Sequence, residues 1–259
     1  MSNKSVNLME DEPEDTTEEI PSSGIYICSF DIGVKNLAFY IEEFFPDKLF
    51  LTLEKSKKVP KTKRRNIKGE LVPEFNNVIR SLYKSGRVVF FTKLDVTIGS
   101  EKDKYIDPMI FLTTIKELGK YSDYFDKCSA IIIEQQMAFN GIGFKGRKVS
   151  KVNTRALKMG QHIFSYFTIL YSGSKLIFEF PSYYKTTILA EQKKMKDKER
   201  KTWATSEAER LLMIRNDFAS IKNLDSFKKR DDIADCIVQA QAWKFLIYID
   251  KVELPHLSG

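Results

Sequence analysis

Four aliphatic residues in an unbroken row, Ala130-Ile131-Ile132-Ile133, end on an acid, Glu134. A run with no polar alternation is a strand buried on both faces, and its length is too short for a helix of ordinary size. An acid closing such a strand sits at its carboxyl end, the edge where α/β sheets place their ligands. A second acid breaks the same rule, because Asp31 lies at the end of the apolar run 25–30, where an ionised side chain is costly to bury unless it is paired or binds a cation.

The rest of the chain alternates in the same way. After Asp31, the stretch Asp31-Ile32-Gly33-Val34-Lys35-Asn36 holds a glycine turn, and the apolar run resumes over 37–41, which predicts an opening β-hairpin. Residues 88–91 and 176–180 read as further strands, the latter ended by Pro181. Segments 74–84, 105–125, 154–171, 198–215 and 231–245 carry apolar residues at three- and four-residue spacing and read as helices. No repeat period is present. The pattern predicts one α/β domain over 25–250, β-rich at its beginning and helical at its end.

Composition limits the function classes. A chain of 259 residues with 42% hydrophobic and 30% charged residues can bury a sizeable core, so a disordered chain or a disulfide-stapled miniprotein does not fit. No apolar run approaches the roughly 18 to 20 residues that span a bilayer. Cys28, Cys128 and Cys236 are scattered in apolar segments and read as buried reduced thiols. The amino terminus has neither the apolar core of a secretory signal nor the arginine-rich character of a transit peptide, so cytosol or nucleus is expected and secretion is not.

The net charge of +7 is unevenly placed. Residues 1–24 carry seven acids against Lys4 and read as an acidic disordered tail, which leaves the body more basic than the whole; 251–259 reads as a short carboxyl-terminal tail. Between Glu54 and Glu70 lie Lys55, Lys57, Lys58, Lys61, Lys63, Arg64, Arg65 and Lys68 with no acid among them, a loop or hairpin tip that is either a solvated surface or an arm tracking phosphates.

Near the carboxyl end, Asp231, Asp232 and Asp235 open the last helix, and 232 with 235 form an i, i+3 pair on one face. Taken singly, Asp232 is equally an acid favoured at a helix start and Asp31 a turn-stabilising side chain. Together, Asp31, Glu134, Asp232 and Asp235 supply the oxygen-rich shell preferred by Mg²⁺ or Mn²⁺, and four carboxylates can hold two such ions. Two ions can activate a water and stabilise the leaving oxygen of a phosphodiester. Zinc is disfavoured, since His162 and His256 are the only histidines and no cysteine pair has ligand spacing.

Four segments in order now resemble the RuvC-like Holliday junction resolvases of the RNase H-like superfamily, particularly those of poxviruses and related large DNA viruses. They are Ser29-Phe30-Asp31-Ile32-Gly33-Val34-Lys35-Asn36, Ile132-Ile133-Glu134-Gln135-Gln136, Leu157-Lys158-Met159-Gly160-Gln161 and Lys229-Arg230-Asp231-Asp232-Ile233-Ala234-Asp235. The resemblance covers residues 25–245. It implies an α/β fold with a mixed five-stranded sheet flanked by helices, and Asp31, Glu134, Asp232 and Asp235 as catalytic acids binding two Mg²⁺ or Mn²⁺. Asp231 blurs the register of the last motif.

The resemblance further implies Lys185, in Pro181-Ser182-Tyr183-Tyr184-Lys185, as a phosphate-contacting lysine, and Lys201, opening a helix 202–215, as a second. The implied activity is the resolution of four-way DNA junctions by paired symmetric nicks. That needs two sites related by a dyad, hence a homodimer, with helix 152–171 and its Met159, Ile163, Phe164 and Phe167 as interface candidates that read equally as ordinary core packing. Viral replication in the host cytoplasm, or the nucleus, is the implied location. Lys145, Arg147 and Lys148, beside Phe139, Phe144 and the Gly141-Ile142-Gly143 loop, together with Lys61, Lys63, Arg64 and Arg65, are candidate DNA contacts, with Tyr183 and Tyr184 as aromatic neighbours. The chain exceeds compact members by a basic insertion near 54–70 and by the tail 1–24. Two other readings stay open: an RNase H-like nuclease acting on RNA/DNA hybrids or flaps, and a catalytically silent DNA-binding protein.

Overall fold

The computed structural model describes residues 24–54, 59–97, 106–136, 153–190 and 195–252. Strands β1 (Ile25–Asp31) and β2 (Leu37–Phe44) form the expected hairpin, and β2 continues antiparallel into β3 (Gly86–Leu94). On its other edge β1 pairs in parallel with β4 (Cys128–Gln135), which pairs in parallel with β5 (Leu176–Pro181). The strand order β3-β2-β1-β4-β5 makes a mixed five-stranded sheet flanked by helices, the architecture expected from the sequence.

Side chains alternate across a strand, so each strand feeds two cores. On β1, Ile27 and Ser29 face one side while Cys28 and Phe30 face the other. The first side is covered by α2 (Pro73–Lys84), α6 (Tyr183–Leu189), α7 (Asp197–Ile214), α8 (Phe218–Asp225) and α9 (Asp231–Lys244). Nearly every residue of α9 is buried, because the helix is sandwiched between the sheet and α6 and α7. The second side lies under α3 (Pro108–Gly119), α4 (Ser122–Lys127) and α5 (Thr154–Tyr171), where the rings of Phe125 and Phe167 meet at 5.1 Å and Phe30 and Phe167 at 5.5 Å.

Several expectations are revised. The single helix read over 105–125 is two, since α3 ends at Gly119 and α4 begins beyond Tyr121; Asp107 caps α3 by accepting from the Met109 amide at 2.8 Å. The last helix stops at Lys244 and widens into a π-helical turn, Phe245–Ile249. Helix α1 (Pro46–Glu54) and the short α6 and α8 carry too few apolar repeats to announce themselves, and tertiary packing rather than propensity holds them. Helix α7 begins at Asp197, so Lys201 lies inside it rather than opening it.

Helix α5 also corrects the interface expectation. Met159, Ile163 and Phe167 are wholly buried in the second core and Phe164 packs against it, so these side chains are spent within one chain. The exposed apolar residues of α5 are Ile169 and Leu170 instead. His162 packs its ring 4.5 Å from that of Phe111, a structural placement. The three cysteines are free and buried, as read from their apolar surroundings. Among the described residues no helix is long and apolar enough to cross a membrane.

Candidate active site

The period-2 alternation that buries Ile27 and Ile132 on the α9 side places Asp31 and Glu134 there too. Because β1 and β4 are parallel neighbours with Phe30 opposite Ile133, the two acids emerge side by side, one step further along, at the carboxyl ends of adjacent strands. Helix α9 starts over that edge. Its amide Gln239 donates to Ser29 Oγ at 3.0 Å and to the Phe30 carbonyl at 3.1 Å, which locks the helix onto the end of β1. One turn earlier on the same helix, Asp235 reaches the acids.

Lys185 joins them. Its Nζ donates to Glu134 Oε1 at 3.0 Å and to Asp235 Oδ1 at 2.8 Å, and its side chain is only 4% exposed. Burial disfavours its ammonium, but the charges of Glu134, Asp235 and Asp31 outweigh that and raise its pKa. Burial and the neighbouring charges of Glu134 and Asp235 push the Asp31 carboxyl well above its ordinary value, and Asp31 hydrogen-bonds to Glu134. Burial opposes ionisation of Glu134 as well, yet Lys185, Asp31 and Gln136, whose Nε2 donates to Glu134 Oε2 at 3.2 Å, hold it below the usual range. The two carboxyls are thus pushed in opposite directions, Asp31 up and Glu134 down.

Asp232 stands apart. Its Oδ2 is buried without a hydrogen-bond partner, and the nearest cation, Lys93 of β3, is 3.6 Å away with its own Nζ donating to the Lys229 carbonyl. Burial and then the charge of Asp231 raise the Asp232 pKa. Asp231 is engaged elsewhere, paired with Lys201 at 2.7 Å. Thus Asp31, Glu134, Asp235 and Lys185 are in contact, while Asp232, Asp231, Lys93 and Lys201 form a second, adjoining charged group.

Among the described residues no set of three or more histidine, cysteine or acidic side chains is arranged as a metal site, and Lys185 bridges Glu134 and Asp235. The chemistry of the donors nevertheless fits a hard divalent cation. All are carboxylate oxygens, and one, Asp232 Oδ2, is a buried atom without a hydrogen-bond partner.

The basic candidates are placed differently. Arg64 grips Asp250, with Nη1 at 3.1 Å from Oδ2, and lies over the rings of Phe75 and Phe245; Arg65 donates to the carbonyls of Gly69, Thr187 and Ala190. Both are spent on folding the insertion back onto the domain, which turns the expected phosphate arm into a packed loop at these two positions. Lys61 and Lys63 form a turn of 3₁₀ helix, with Lys61 largely exposed. Lys145, Arg147, Lys148, Phe139 and Phe144 lie outside the described residues. Sequence reading missed Lys93, Gln136 and Gln239. Lys93 carried a signal, because it shares the parity of buried Phe91 on β3, but the strand was ended too early.

The raised Asp31 pKa has a consequence for stability. The folded chain keeps a proton that the unfolded chain releases, so this contribution is fully present below the ordinary carboxyl value near 3.8 and is lost as pH rises through the folded value. Asn at this position still donates to Glu134 and cannot ionise. Asp31→Asn is therefore expected to stabilise the protein at neutral pH by about 1 kcal/mol, with the gain shrinking toward pH 4. Urea unfolding of both proteins at the two pH values checks this, and an equal gain at both would remove the like-charge explanation.

No family model matches the chain. Solved structures similar to it include the fowlpox virus Holliday junction resolvase, at 13% identity and a TM-score of 0.41, covering 85% of this chain and 97% of that one. RuvC of Thermus thermophilus aligns at 9% identity and a TM-score of 0.46, covering 87% and 97%. Among curated proteins, uncharacterized protein 97L of Invertebrate iridescent virus 3 is 23% identical, covering 84% of this chain and 98% of its own length. Uncharacterized protein 170L of Invertebrate iridescent virus 6 is 30% identical over 261 residues, spanning 88% of this chain and 92% of its own. With that identity over nearly the whole of both chains, the protein belongs to the family of iridescent virus protein 170L.

Proposed function

We propose that the protein is a divalent-metal-dependent endonuclease that resolves four-way DNA junctions by symmetric paired nicks as a homodimer. The observation that carries the reading is the meeting of Asp31, Glu134, Asp235 and Lys185 at the carboxyl ends of two parallel strands, with residues from positions so far apart in sequence. A fold needs no half-buried cluster of three acids there, and like charges gathered under α9 are a cost that a catalytic role explains.

Asp31, Glu134, Asp232 and Asp235 would hold Mg²⁺ or Mn²⁺, which supply activation of a water and stabilisation of the departing oxygen of the phosphodiester. Lys185 orients Glu134 and Asp235 through its two ion pairs, and would meet a phosphate oxygen once the carboxylates have another cation. Lys93, Lys201 and Lys229 ring the start of α9 and provide positive charge for the backbone on either side of the scissile bond. Burial and the charges of Glu134 and Asp235 raise the Asp31 pKa, a cost that a bound cation would relieve.

The testing experiment sets a mobile four-way junction beside an RNA/DNA hybrid duplex, each with Mg²⁺ and with chelator. Symmetric nicks on the junction, absent with chelator, are the expected result. Cleavage of the hybrid alone would move the substrate to the RNase H-like alternative, and metal-independent cleavage would reject the site. Junction binding is also expected to weaken by at least about tenfold between roughly 50 and 200 mM salt, as phosphate contacts displace counterions; a flat response in a filter-binding titration would reject a phosphate-tracking surface.

A further inference from the structure

At the end of the sheet opposite the carboxylates lies a groove of about 780 Å³, floored by Phe50, Leu53, Phe75, Val78 and Tyr248. Among the described residues its rim holds Lys61, Lys251 and Arg64, with Glu54 as the acid in the lining. Arg64 is committed to Asp250, and Lys61 stands 3.5 Å from the same carboxylate with its side chain 64% exposed, while Lys251 is exposed with Nζ 5.1 Å above the Phe50 ring. The groove therefore suits a short segment that pairs an apolar side chain with acids. It takes no part in the site at the other end of β1 and β4.

We infer that this groove receives the chain's own amino-terminal segment, with Ile20 on the apolar floor and Glu18 and Glu19 against Lys61 and Lys251. Place supports it first. The chain enters the fold at Gly24, Ile25 pairs with Phe44, and the Phe44 ring lies 4.7 Å from the ring of Tyr248, which lines the groove. Four residues of extended chain reach roughly 14 Å, so Ile20 falls within range of the floor without a long loop to close. Charge supports it second, since residues 1–24 carry seven acids and one lysine, while among the described residues Lys61 shares Asp250 with Arg64 and Lys251 makes no ion pair. Apolar content supports it third, because Ile20 directly follows the acid pair and is the only large aliphatic residue between Met9 and Gly24.

Hydrogen–deuterium exchange of the full chain tests this through the amides of residues 17–22. The expected result is slowing by about tenfold relative to a free peptide of the same sequence, unchanged on tenfold dilution and largely lost near roughly 0.5 M salt. The double variant Glu18→Lys, Glu19→Lys and the single variant Ile20→Ser should each return exchange to the free-peptide rate without disturbing the domain. Leu53→Glu should do the same from the groove side, with an unchanged melting temperature as its folding control. Exchange at the free-peptide rate in the unaltered protein overturns the inference. So does slowing that disappears on dilution, which would assign the groove to a second copy, or slowing that survives both tail variants.

Discussion

Glu134→Gln is expected to lower the rate of junction cleavage by about a thousandfold or more, some 4 kcal/mol of barrier, while junction affinity stays the same or tightens slightly. Glu134 accepts from Lys185, Gln136 and Asp31 at once, so both of its oxygens are in use as acceptors. The amide keeps the volume but replaces one oxygen by a donor and deletes the charge that the proposed divalent ion would need. Affinity is spared because Lys93, Lys201 and Lys229 lie on the α9 rim and are untouched, and losing an acid lowers repulsion of the phosphates. Single-turnover cleavage with saturating enzyme, beside a binding titration in Ca²⁺, separates the two effects. Cleavage within about tenfold of the parent would mean that this cluster is not the reacting centre.

Glu42→Ala is expected to cost about 3 to 5 kcal/mol, a large part of the 5 to 15 kcal/mol by which a domain is ordinarily stable. Glu42 lies on β2, fully buried, and pairs with Lys244 at the end of α9 and with Arg215 after α7 at 3.0 Å. It also accepts from Tyr40 at 2.6 Å and Gln241 at 2.7 Å. Gly86 passes so close that any side chain there would collide with the carboxylate. Removing Glu42 strands two buried cations beside each other, which is worse than never having had the pair. Lys244→Met in the Glu42→Ala background should therefore recover part of the loss.

Burial alone would raise the Glu42 pKa, but Arg215 and Lys244 hold it down to about 2. Its stabilisation is thus present above its ordinary value near 4.5 and is lost as pH falls toward 2. Urea midpoints followed by circular dichroism at pH 7 and pH 3 check both statements. A loss below about 1 kcal/mol at pH 7 would show that the cluster is not what ties α9 and α7 to the sheet.

Asp31 and Glu134 were legible because each interrupts an apolar run, and an unpaired charge in such a place has an energetic cost that begs a reason. Asp235 was legible from its three-residue step to Asp232. The split between them was not: Asp235 reaches Lys185, whereas Asp232 faces Lys93, and that depends on how far α9 tilts across β1. The choice between interface and core packing on α5 was closed to the sequence for a related reason. Met159, Ile163 and Phe167 mark an apolar face equally well whether it meets a second chain or its own sheet. Arg64 and Arg65 look like surface charge in a run of cations, and only their partners, Asp250 and three carbonyls, reveal them as packing.

By itself, then, the amino-acid order determined the strands, most of the long helices, and which acids could not be ordinary surface residues, because burial cost and side-chain periodicity are local properties written every two or four positions. Tertiary structure alone decided who neutralises whom: Lys185 between Glu134 and Asp235, Lys244 and Arg215 on Glu42, Lys93 facing Asp232. Those partners come from distant parts of the chain, and Coulomb attraction and hydrogen bonding act through space after the helices have docked, leaving no spacing in the sequence by which to find them.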